Sequence, residues 1–309
     1  MNFDFTAALP TFVITLREGF EAALVIGVVL SCLKKAQQTQ LNSWVFSGVG
    51  AGIVASALVG WAFHSGMQAL RASNQAYAPV IEPLLAGALC LVAIVMLSWM
   101  LLWMTQQARS LKADVEGAVE SALRNSQAAG WGVFALIFIA VLREGFEAVI
   151  FIVAKFQQGL VPALGALGGL VGAAMLGVLL FQWGVKIDVR RFFQVMGVLL
   201  LLIVSGLVVA ALKDVNEAVE AMSQLQPQFA HWCNPDAASC VLGSLVWDTH
   251  EVLPDKQFPG ILLKSLMGYR DRIYAAQAIG YTSFLSIAGW LYFQSLGGRL
   301  WNRRSTLES

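Results

Sequence analysis

A charged five-residue motif occurs twice in the chain, each time within a long apolar segment. The two copies are Arg17-Glu18-Gly19-Phe20-Glu21 and Arg143-Glu144-Gly145-Phe146-Glu147. A charged side chain at the centre of a membrane helix costs about 2.5–3.5 kcal/mol on insertion scales, so such charges usually mark an ion path, a proton relay or a buried pair. Nine of fifteen positions are identical between Phe12–Ile26 and Phe138–Ile152, which indicates a duplicated segment.

The spacing of the charges within each motif suits the binding of a metal ion. Glutamates three residues apart share a helix face, and an arginine four residues before a glutamate can pair with it. If the two helices cross at their motifs, the formal charge is −4 + 2 = −2, which a cation or protons must relieve at low dielectric. Carboxylates suit hard di- or trivalent ions, and the motifs lack the sulfur ligands that copper(I) prefers. The predicted metal ligands are Glu18, Glu21, Glu144 and Glu147, supported by Arg17 and Arg143.

A salt-bridge clamp between the two helices is the structural alternative for these motifs. One arginine and one glutamate from each motif could hold the helices together without binding an ion. A clamp needs only one glutamate for each arginine, whereas each motif carries two. The second glutamate therefore favours a metal site.

The elements that must carry the motifs are membrane-spanning helices. With 58% hydrophobic residues, 13% charged residues and a mean hydropathy of +0.68, the chain of 309 residues is far more apolar than a soluble domain. About 20 apolar residues cross a bilayer, and spans are predicted near 6–33, 41–65, 80–105, 130–155, 163–185, 191–212 and 273–296. The fold class is an all-α polytopic membrane protein with seven transmembrane helices.

The duplicated motif divides these spans into two halves. The motifs lie in the first and fourth spans, so we expect a 3+3 inverted-topology repeat followed by one C-terminal helix. Transporters of this kind place their ion site near the membrane midplane. The predicted domains are a first three-helix repeat at 1–105, a cytoplasmic charged linker at 106–130, a second three-helix repeat at 131–212, an external loop at 213–272, and the last transmembrane helix with a cytoplasmic tail at 273–309.

Small residues form a matching stripe in the second and fifth spans. Every fourth residue is small in both spans, which lets helix backbones approach closely in lipid. Close packing and a direct contribution to a pore wall both fit this pattern. The two stripes are Gly48, Gly52, Ser56 and Gly60, and Gly165, Gly169, Ala173 and Gly177.

Lysine and arginine residues in the loops predict the orientation. Cytoplasmic loops carry excess positive charge. Short loops on one side offer only Arg71 and Lys155, whereas the other side has eleven such residues, namely Lys34, Lys35, Arg109, Lys112, Arg124, Lys186, Arg190, Arg191, Arg299, Arg303 and Arg304. We therefore expect a multi-pass protein of the bacterial inner membrane, with its N-terminus outside and its C-terminus in the cytoplasm. Cys233 and Cys240 then lie in an external loop, where an oxidising compartment would allow a disulfide.

Two Arg-Glu-Gly-x-Glu motifs in the first and fourth of seven spans resemble the high-affinity iron permease family, also called the oxidase-dependent iron transporters. The resemblance covers nearly all of the membrane part, residues 1–300, although fungal members usually have leucine at the positions of Phe20 and Phe146. It implies that the four motif glutamates bind iron during translocation and that the two arginines support them. It also implies an oxidase or periplasmic donor that hands over the iron as Fe(III).

Acidic residues outside the membrane centre are candidate accessory ligands. Asp248-Thr249-His250-Glu251 resembles the Asp-x-x-Glu element that this family has before its last span, and the linker resembles an acidic loop element of the family. Further acids lie where the third span begins and where the sixth ends. A solvated loop or a helix end explains each set as well. The accessory candidates are Asp248, Glu251, Glu82, Asp214, Glu217, Asp114, Glu116 and Glu120.

The sequence thus predicts an iron permease rather than an enzyme. Iron is the transported substrate, no bound organic cofactor is expected, and the partners are the lipid bilayer and a periplasmic iron-binding protein, a cupredoxin or a ferroxidase. A net charge of +1 gives no reason to expect nucleic acid. The alternative is a proton-coupled transporter of another divalent metal such as manganese or lead, because carboxylates alone do not fix the metal. An intramembrane oxidoreductase and a purely structural subunit are further alternatives.

Overall fold

The structure is a computed structural model whose described part is mostly helical. It describes residues 8–73, 77–107, 111–124, 129–155, 161–184, 188–225, 228, 233, 239–255 and 257–296. Arg109, Lys186 and the predicted cytoplasmic tail after Leu296, on which the orientation partly depends, lie outside the described residues.

Long helices carry the apolar segments. A helix satisfies every backbone N–H and C=O within one segment, as lipid requires. The helices are α1 (Ala8–Lys35), α2 (Asn42–Ser73), α3 (Ala78–Gln107), α4 (Leu111–Arg124), α5 (Ala129–Lys155), α6 (Val161–Phe181), α7 (Val189–Leu225), α8 (Gly260–Met267) and α9 (Ala275–Leu296), with a short 3-10 helix at Thr39–Leu41. Strands β1 (Leu245–Asp248) and β2 (Arg272–Tyr274) pair antiparallel.

Four helical segments of the described part are long and apolar enough to cross a membrane. They are Thr39–Phe63, Pro79–Leu102, Val161–Phe181 and Val189–Leu225. The motif helices α1 and α5 are not among the four, and each carries the charges of its motif within an otherwise apolar sequence. The protein is thus an all-α membrane protein of several spans, and the count of seven stays a prediction.

Three helix boundaries refine the sequence-based picture. Helix α7 continues to Leu225, so the segment after the sixth predicted span begins as helix. Helix α4 occupies much of the charged linker. Helix α3 begins at Ala78, which places Glu82 in the second turn and Pro83 inside the helix rather than in its first turn.

The chain divides into two compact units. We call Thr11–Ser65 with Gln106–Met196 the motif unit, because it holds both motifs. The sheet unit takes in the described residues of Met1–Pro10, Gly66–Thr105 and Gly197–Ser309. Most of α1, α4, α5 and α6 therefore belongs to the motif unit, whereas α3 and α9 belong largely to the sheet unit, and α2 and α7 contribute to both.

A buried valine-rich cluster sits at one end of the motif unit. Helix α4 is amphipathic and packs its apolar face on α5 and its neighbours. The cluster joins the C-terminal part of α1 to the N-terminal part of α5, so these two helices run antiparallel. Its buried members are Val29, Leu33, Val45, Val115, Val119, Val133, Ile137 and Val141.

Close backbone approaches hold the sheet unit together. A Cβ on Gly197 would overlap the buried ring of Tyr292, so α7 and α9 are in tight contact there. Gly206 of α7 lies against Gly268, which ends α8 in a left-handed conformation with φ 68°. A side chain at either glycine would separate these elements.

A disulfide joins Cys233 to Cys240 in the segment between α7 and β1. This pairing agrees with the expectation for an oxidising compartment. Asn216 of α7 fixes the chain just beyond the bridge, because its Oδ1 accepts the backbone N–H of Val241 at 2.9 Å. The disulfide closes a loop within the segment, and the Asn216 hydrogen bond attaches the segment to α7.

Candidate metal site

The two motifs meet where α1 and α5 cross within the motif unit. Glu18, Glu21 and Glu144 each offer one carboxylate oxygen, and these three atoms lie within 4.8 Å of one another. The cluster contains both glutamates of the first motif and the first glutamate of the second motif. The structure therefore brings together carboxylates that are more than a hundred residues apart in the sequence.

Arg17 organises the first motif. Its side chain is buried, with Nη1 2.8 Å from Glu18 Oε1 and Nη2 2.7 Å from Glu21 Oε1. A planar guanidinium holds two carboxylates in a fixed geometry, which an ammonium group cannot reproduce. Arg17 therefore orients both glutamates of its own motif.

The second motif is arranged differently, although its sequence is identical. Arg143 Nε lies 3.3 Å from Glu147 Oε1, and the arginine side chain is 45% exposed against 1% for Arg17. Glu144 makes its close approach to the glutamates of the first motif instead. The pairs expected at a spacing of four residues thus form in both motifs, but in unequal surroundings.

Three carboxylate oxygens at the motifs are buried without a hydrogen-bond partner among the described residues. They are Glu18 Oε2, Glu144 Oε2 and Glu147 Oε2. Buried polar atoms normally have partners because desolvation without a hydrogen bond is costly. Oxygens of this kind can bind a hard cation or take up a proton. Glu147 belongs to this set, although it lies outside the group of three clustered carboxylates.

The small-residue stripes pack on the motif helices. A Cβ on Gly145 would overlap Ser56 Oγ and come within 2.7 Å of Ser56 Cβ. A Cβ on Gly19 would come within 2.7 Å of Ala173 Cβ. Helix α2 therefore packs on α5, and α6 packs on α1, at equivalent positions. The glycine of each motif provides the room for this close packing.

A cavity of about 220 Å³ lies beside the clustered carboxylates. Its walls are mostly apolar and come from α1, α2, α5 and α6. Glu18 and Glu144 line it together with Thr15 and Ser56. The two hydroxyl residues were not predicted as site residues, although Thr15 lies one turn before Glu18 and Ser56 belongs to a stripe.

The Asp248–Glu251 element lies at the two-stranded sheet. Arg272 Nε lies 3.2 Å from Asp248 Oδ2, and the backbone N–H of His250 donates to Asp248 Oδ1 at 3.0 Å. Glu251 is exposed in the following turn. The strand pairing places Asp248 opposite Arg272, so this acid has a local structural partner.

Three further candidate acids, Glu82, Asp214 and Glu217, lie in the sheet unit. Lys213 Nζ pairs with Glu217 Oε1 at 2.7 Å, and Cys90 Sγ lies 3.9 Å from Asp214 Oδ2. Glu82 is half-buried in α3. In the described part of the chain, these acids do not form a further group of three ligands close enough to share an ion.

Arg270 is a partly buried cation that the sequence did not single out. Burial lowers the pKa of Arg270, whereas the carboxylates of Asp255, Asp214 and Glu217 act in the opposite direction. Long-range packing brings it to these acids, so no local pattern could have revealed it. Arg270 supplies positive charge near the C-terminal part of α7, where Asp214 and Glu217 lie.

The linker acids lie on the polar side of α4. Asp114 and Glu120 are exposed and Glu116 is half-buried, whereas Val115 and Val119 of the same helix are buried. This arrangement is that of an amphipathic helix with a solvated face. The structure does not bring these acids into the group of clustered carboxylates.

Long apolar helices and a partly buried carboxylate cluster define a multi-pass membrane protein with a candidate cation site. A sequence model of the Iron permease FTR1 family matches residues 8–293, and the chain belongs to that family. It is accordingly a transmembrane metal permease that takes part in iron transport, not an enzyme.

Relatives of known sequence extend over nearly the whole chain. The protein is similar to the uncharacterized protein slr0964 of Synechocystis sp., with 46% identity over 297 residues and 96% of each chain covered. It is 29% identical over 291 residues to the ferrous iron permease EfeU of Yersinia pseudotuberculosis, which covers 94% of this chain and 93% of that one. The EfeU of Escherichia coli is 30% identical over 263 residues, or 84% and 86% of the two chains. No solved structure matches.

Proposed function

We propose that this protein imports iron across the bacterial inner membrane through the four motif glutamates. The ion binds either to several of these carboxylates at once or to one after another, and the two motif arginines hold the carboxylates in position. The glutamates are Glu18, Glu21, Glu144 and Glu147, and the arginines are Arg17 and Arg143. The observation that supports this proposal is the approach of three carboxylate oxygens within 4.8 Å, one from a buried and two from half-buried glutamates of α1 and α5. Oxygen ligands of this kind suit a hard multivalent cation.

The proposed architecture is the seven-span, 3+3 inverted repeat with its N-terminus outside and its C-terminus in the cytoplasm. The antiparallel course of α1 and α5 supports it, as do the matched contacts of Gly19 with Ala173 and of Gly145 with Ser56. A rocking motion of repeats around a central site is the mechanism that such duplications favour.

The oxidation state of the ion distinguishes two versions of this proposal. The family resemblance favours Fe(III), handed over by a periplasmic iron-binding protein, a cupredoxin or a ferroxidase. The relatives from Yersinia and Escherichia are named ferrous iron permeases, which favours Fe(II). Four glutamates and two arginines give −4 + 2 = −2, a charge that Fe(II) neutralises. Uptake of radioactive iron under a strong reductant, compared with uptake under a ferroxidase, separates the two.

The external acids could collect iron near the outer mouth of the path. A concentration of negative charge attracts cations. The acids proposed for this role are Asp248, Glu251, Glu82, Asp214 and Glu217. At the cytoplasmic end of the path, the ion could pass to the linker acids Asp114, Glu116 and Glu120. Substitution of these acids should affect uptake less than substitution of the motif glutamates.

The central test is iron uptake by proteoliposomes that contain purified protein. Glu18→Gln and Glu144→Gln keep the size of each side chain but remove its charge, and each should reduce uptake at least tenfold. Glu220→Gln makes the same chemical change at an exposed position of α7 and should leave uptake unchanged. Normal uptake by both motif variants would refute the proposal, and competition by manganese or zinc would identify a different metal.

A further inference from the structure

Two hydroxyl side chains accompany the carboxylates in the cavity wall. Thr15 and Ser56 are buried, at 2% and 6% exposure, and both line the cavity that Glu18 and Glu144 line. Thr15 Oγ1 donates its proton to the carbonyl oxygen of Thr11 at 2.8 Å. Ser56 Oγ donates in the same way to Gly52 at 2.9 Å. Because each proton is committed to the backbone, each hydroxyl oxygen keeps its lone pairs as an acceptor.

The matching position in the second motif helix carries no hydroxyl. The offset between the motifs is 144 − 18 = 126 residues, and the same offset takes Thr15 to Val141. Thr15 lies against Gly169, and Val141 lies against Gly52, so the two side chains make equivalent helix contacts. Valine has the shape of threonine, which means that the packing alone does not require an oxygen here.

The stripe that contains Ser56 shows the same difference. The offset between the stripes is 165 − 48 = 117 residues, which takes Ser56 to Ala173. A Cβ on the facing motif glycine would lie 2.7 Å from the Cβ of either residue. Alanine fills this position on the other side of the motif unit, so the helix contact there forms without a hydroxyl, whereas at Gly145 the Ser56 oxygen lies within the contact.

We propose that Thr15 and Ser56 are positioning residues for the permeating cation, an inference that rests on the proposed function. Their oxygens accept hydrogen bonds from water that the ion retains beside Glu18 and Glu144. Water bound to a multivalent cation is a strong donor, and a neutral acceptor adds no negative charge to a site whose formal charge is already −2. The buried, unpartnered oxygens of Glu18 and Glu144 in the same wall indicate that a ligand belongs there.

The test copies into each position the residue that its counterpart already carries. Thr15→Val and Ser56→Ala, alone and together, are assayed for iron uptake in proteoliposomes over a range of iron concentrations. Loss of one neutral acceptor should raise KM about fivefold for each variant, with the maximal rate within about twofold of wild type. Ser205→Ala is the matched control, because Ser205 is buried, donates to a carbonyl four residues earlier in α7 and is not among the residues that line the cavity.

Rates are normalised to the monodisperse protein recovered by size-exclusion chromatography, so that a folding defect is not counted as a transport defect. A raised KM in Ser56→Ala or Thr15→Val, with an unchanged KM in Ser205→Ala, supports the proposal. Wild-type KM in both cavity variants, or an equal change in Ser205→Ala, overturns it. Glu144→Gln in the same assay reports on the proposed function separately, because its normal uptake would refute iron binding by the motifs whatever the hydroxyl variants do.

Discussion

Arg17 Nη2 lies 2.7 Å from Glu21 Oε1, whereas the equivalent pair of Arg143 and Glu147 is 3.3 Å apart. Arg17 also contacts Glu18 at 2.8 Å and is buried, while the Arg143 side chain is 45% exposed. Two identical five-residue sequences therefore have unequal environments. The difference comes from the helices that pack around them, not from the motifs themselves.

Removal of the two arginines should therefore have unequal effects on stability. Arg17→Ala leaves one buried and one half-buried carboxylate, Glu18 and Glu21, without their shared counter-charge, and removal of one partner from a buried pair typically costs about 3–5 kcal/mol. Arg143→Ala removes a counter-charge that lies farther from its glutamate and is less enclosed than Arg17, so its cost should be smaller. Thermal unfolding of each variant in the same detergent measures the difference. Equal losses would contradict the asymmetry described here.

The motif glycines should not tolerate a methyl group. Gly19→Ala and Gly145→Ala place a Cβ within 2.7 Å of Ala173 Cβ and of Ser56 Cβ, respectively. Overpacking of this kind costs about 1–3 kcal/mol and should displace the neighbouring glutamates, so both stability and iron uptake should fall.

Gly50→Ala in α2 is the matched control for these variants, because a Cβ on Gly50 meets no atom within 4 Å. It should be neutral or stabilise the helix by up to about 1 kcal/mol. The double variant Gly145→Ala with Ser56→Gly should recover part of the lost stability, since it removes the overlapping side chain. No recovery in this double variant would argue against the Gly145–Ser56 contact.

Acid should weaken the sheet unit through Asp271. Partial burial raises the pKa of Asp271, but the hydrogen bond and charge of His250, whose Nδ1 lies 2.6 Å from Asp271 Oδ2, outweigh this effect and lower the pKa below its usual value. A lowered carboxyl pKa stabilises the folded state above the unfolded pKa of about 3.9. This stabilisation is lost as the pH falls through the folded pKa.

Asp271→Asn should consequently reduce the fall in unfolding temperature between about pH 6 and about pH 3. The same substitution at Asp114, which is exposed on α4, serves as the control and should leave the pH dependence unchanged. An unaltered pH profile in Asp271→Asn would show that this pair does not contribute.

The cysteines provide a test of both the disulfide and the proposed orientation. Cys233 and Cys240 are bridged, whereas Cys32 and Cys90 are free thiols. Of the four cysteines, two form the disulfide, so protein denatured without a reductant should show 4 − 2 = 2 reactive thiols. After mild reduction of intact spheroplasts, a membrane-impermeant maleimide should label Cys233 and Cys240. Labelling only after the membrane is opened would place this segment in the cytoplasm.

The amino-acid sequence determined the class of protein and the chemistry of its site. Composition and hydropathy follow directly from residue type, so the apolar helices and the membrane class could be read without a structure. The duplicated motif and its spacing predicted the Arg17–Glu21 and Arg143–Glu147 pairs, because neighbours on one helix face are fixed by helical geometry. Carboxylate ligands pointed to a hard cation, and the family match agrees with iron transport.

Only the tertiary structure decided which carboxylates meet and how each is buried. The carboxylates that cluster are those of Glu18, Glu21 and Glu144, whereas Glu147 forms an ion pair with Arg143. The packing of α2 on α5 and of α6 on α1 fixes where the two motif helices meet. The same packing placed Thr15 and Ser56 in the cavity wall. Burial and counter-charge depend on residues distant in sequence, so two identical motifs acquired different surroundings that no local pattern encodes.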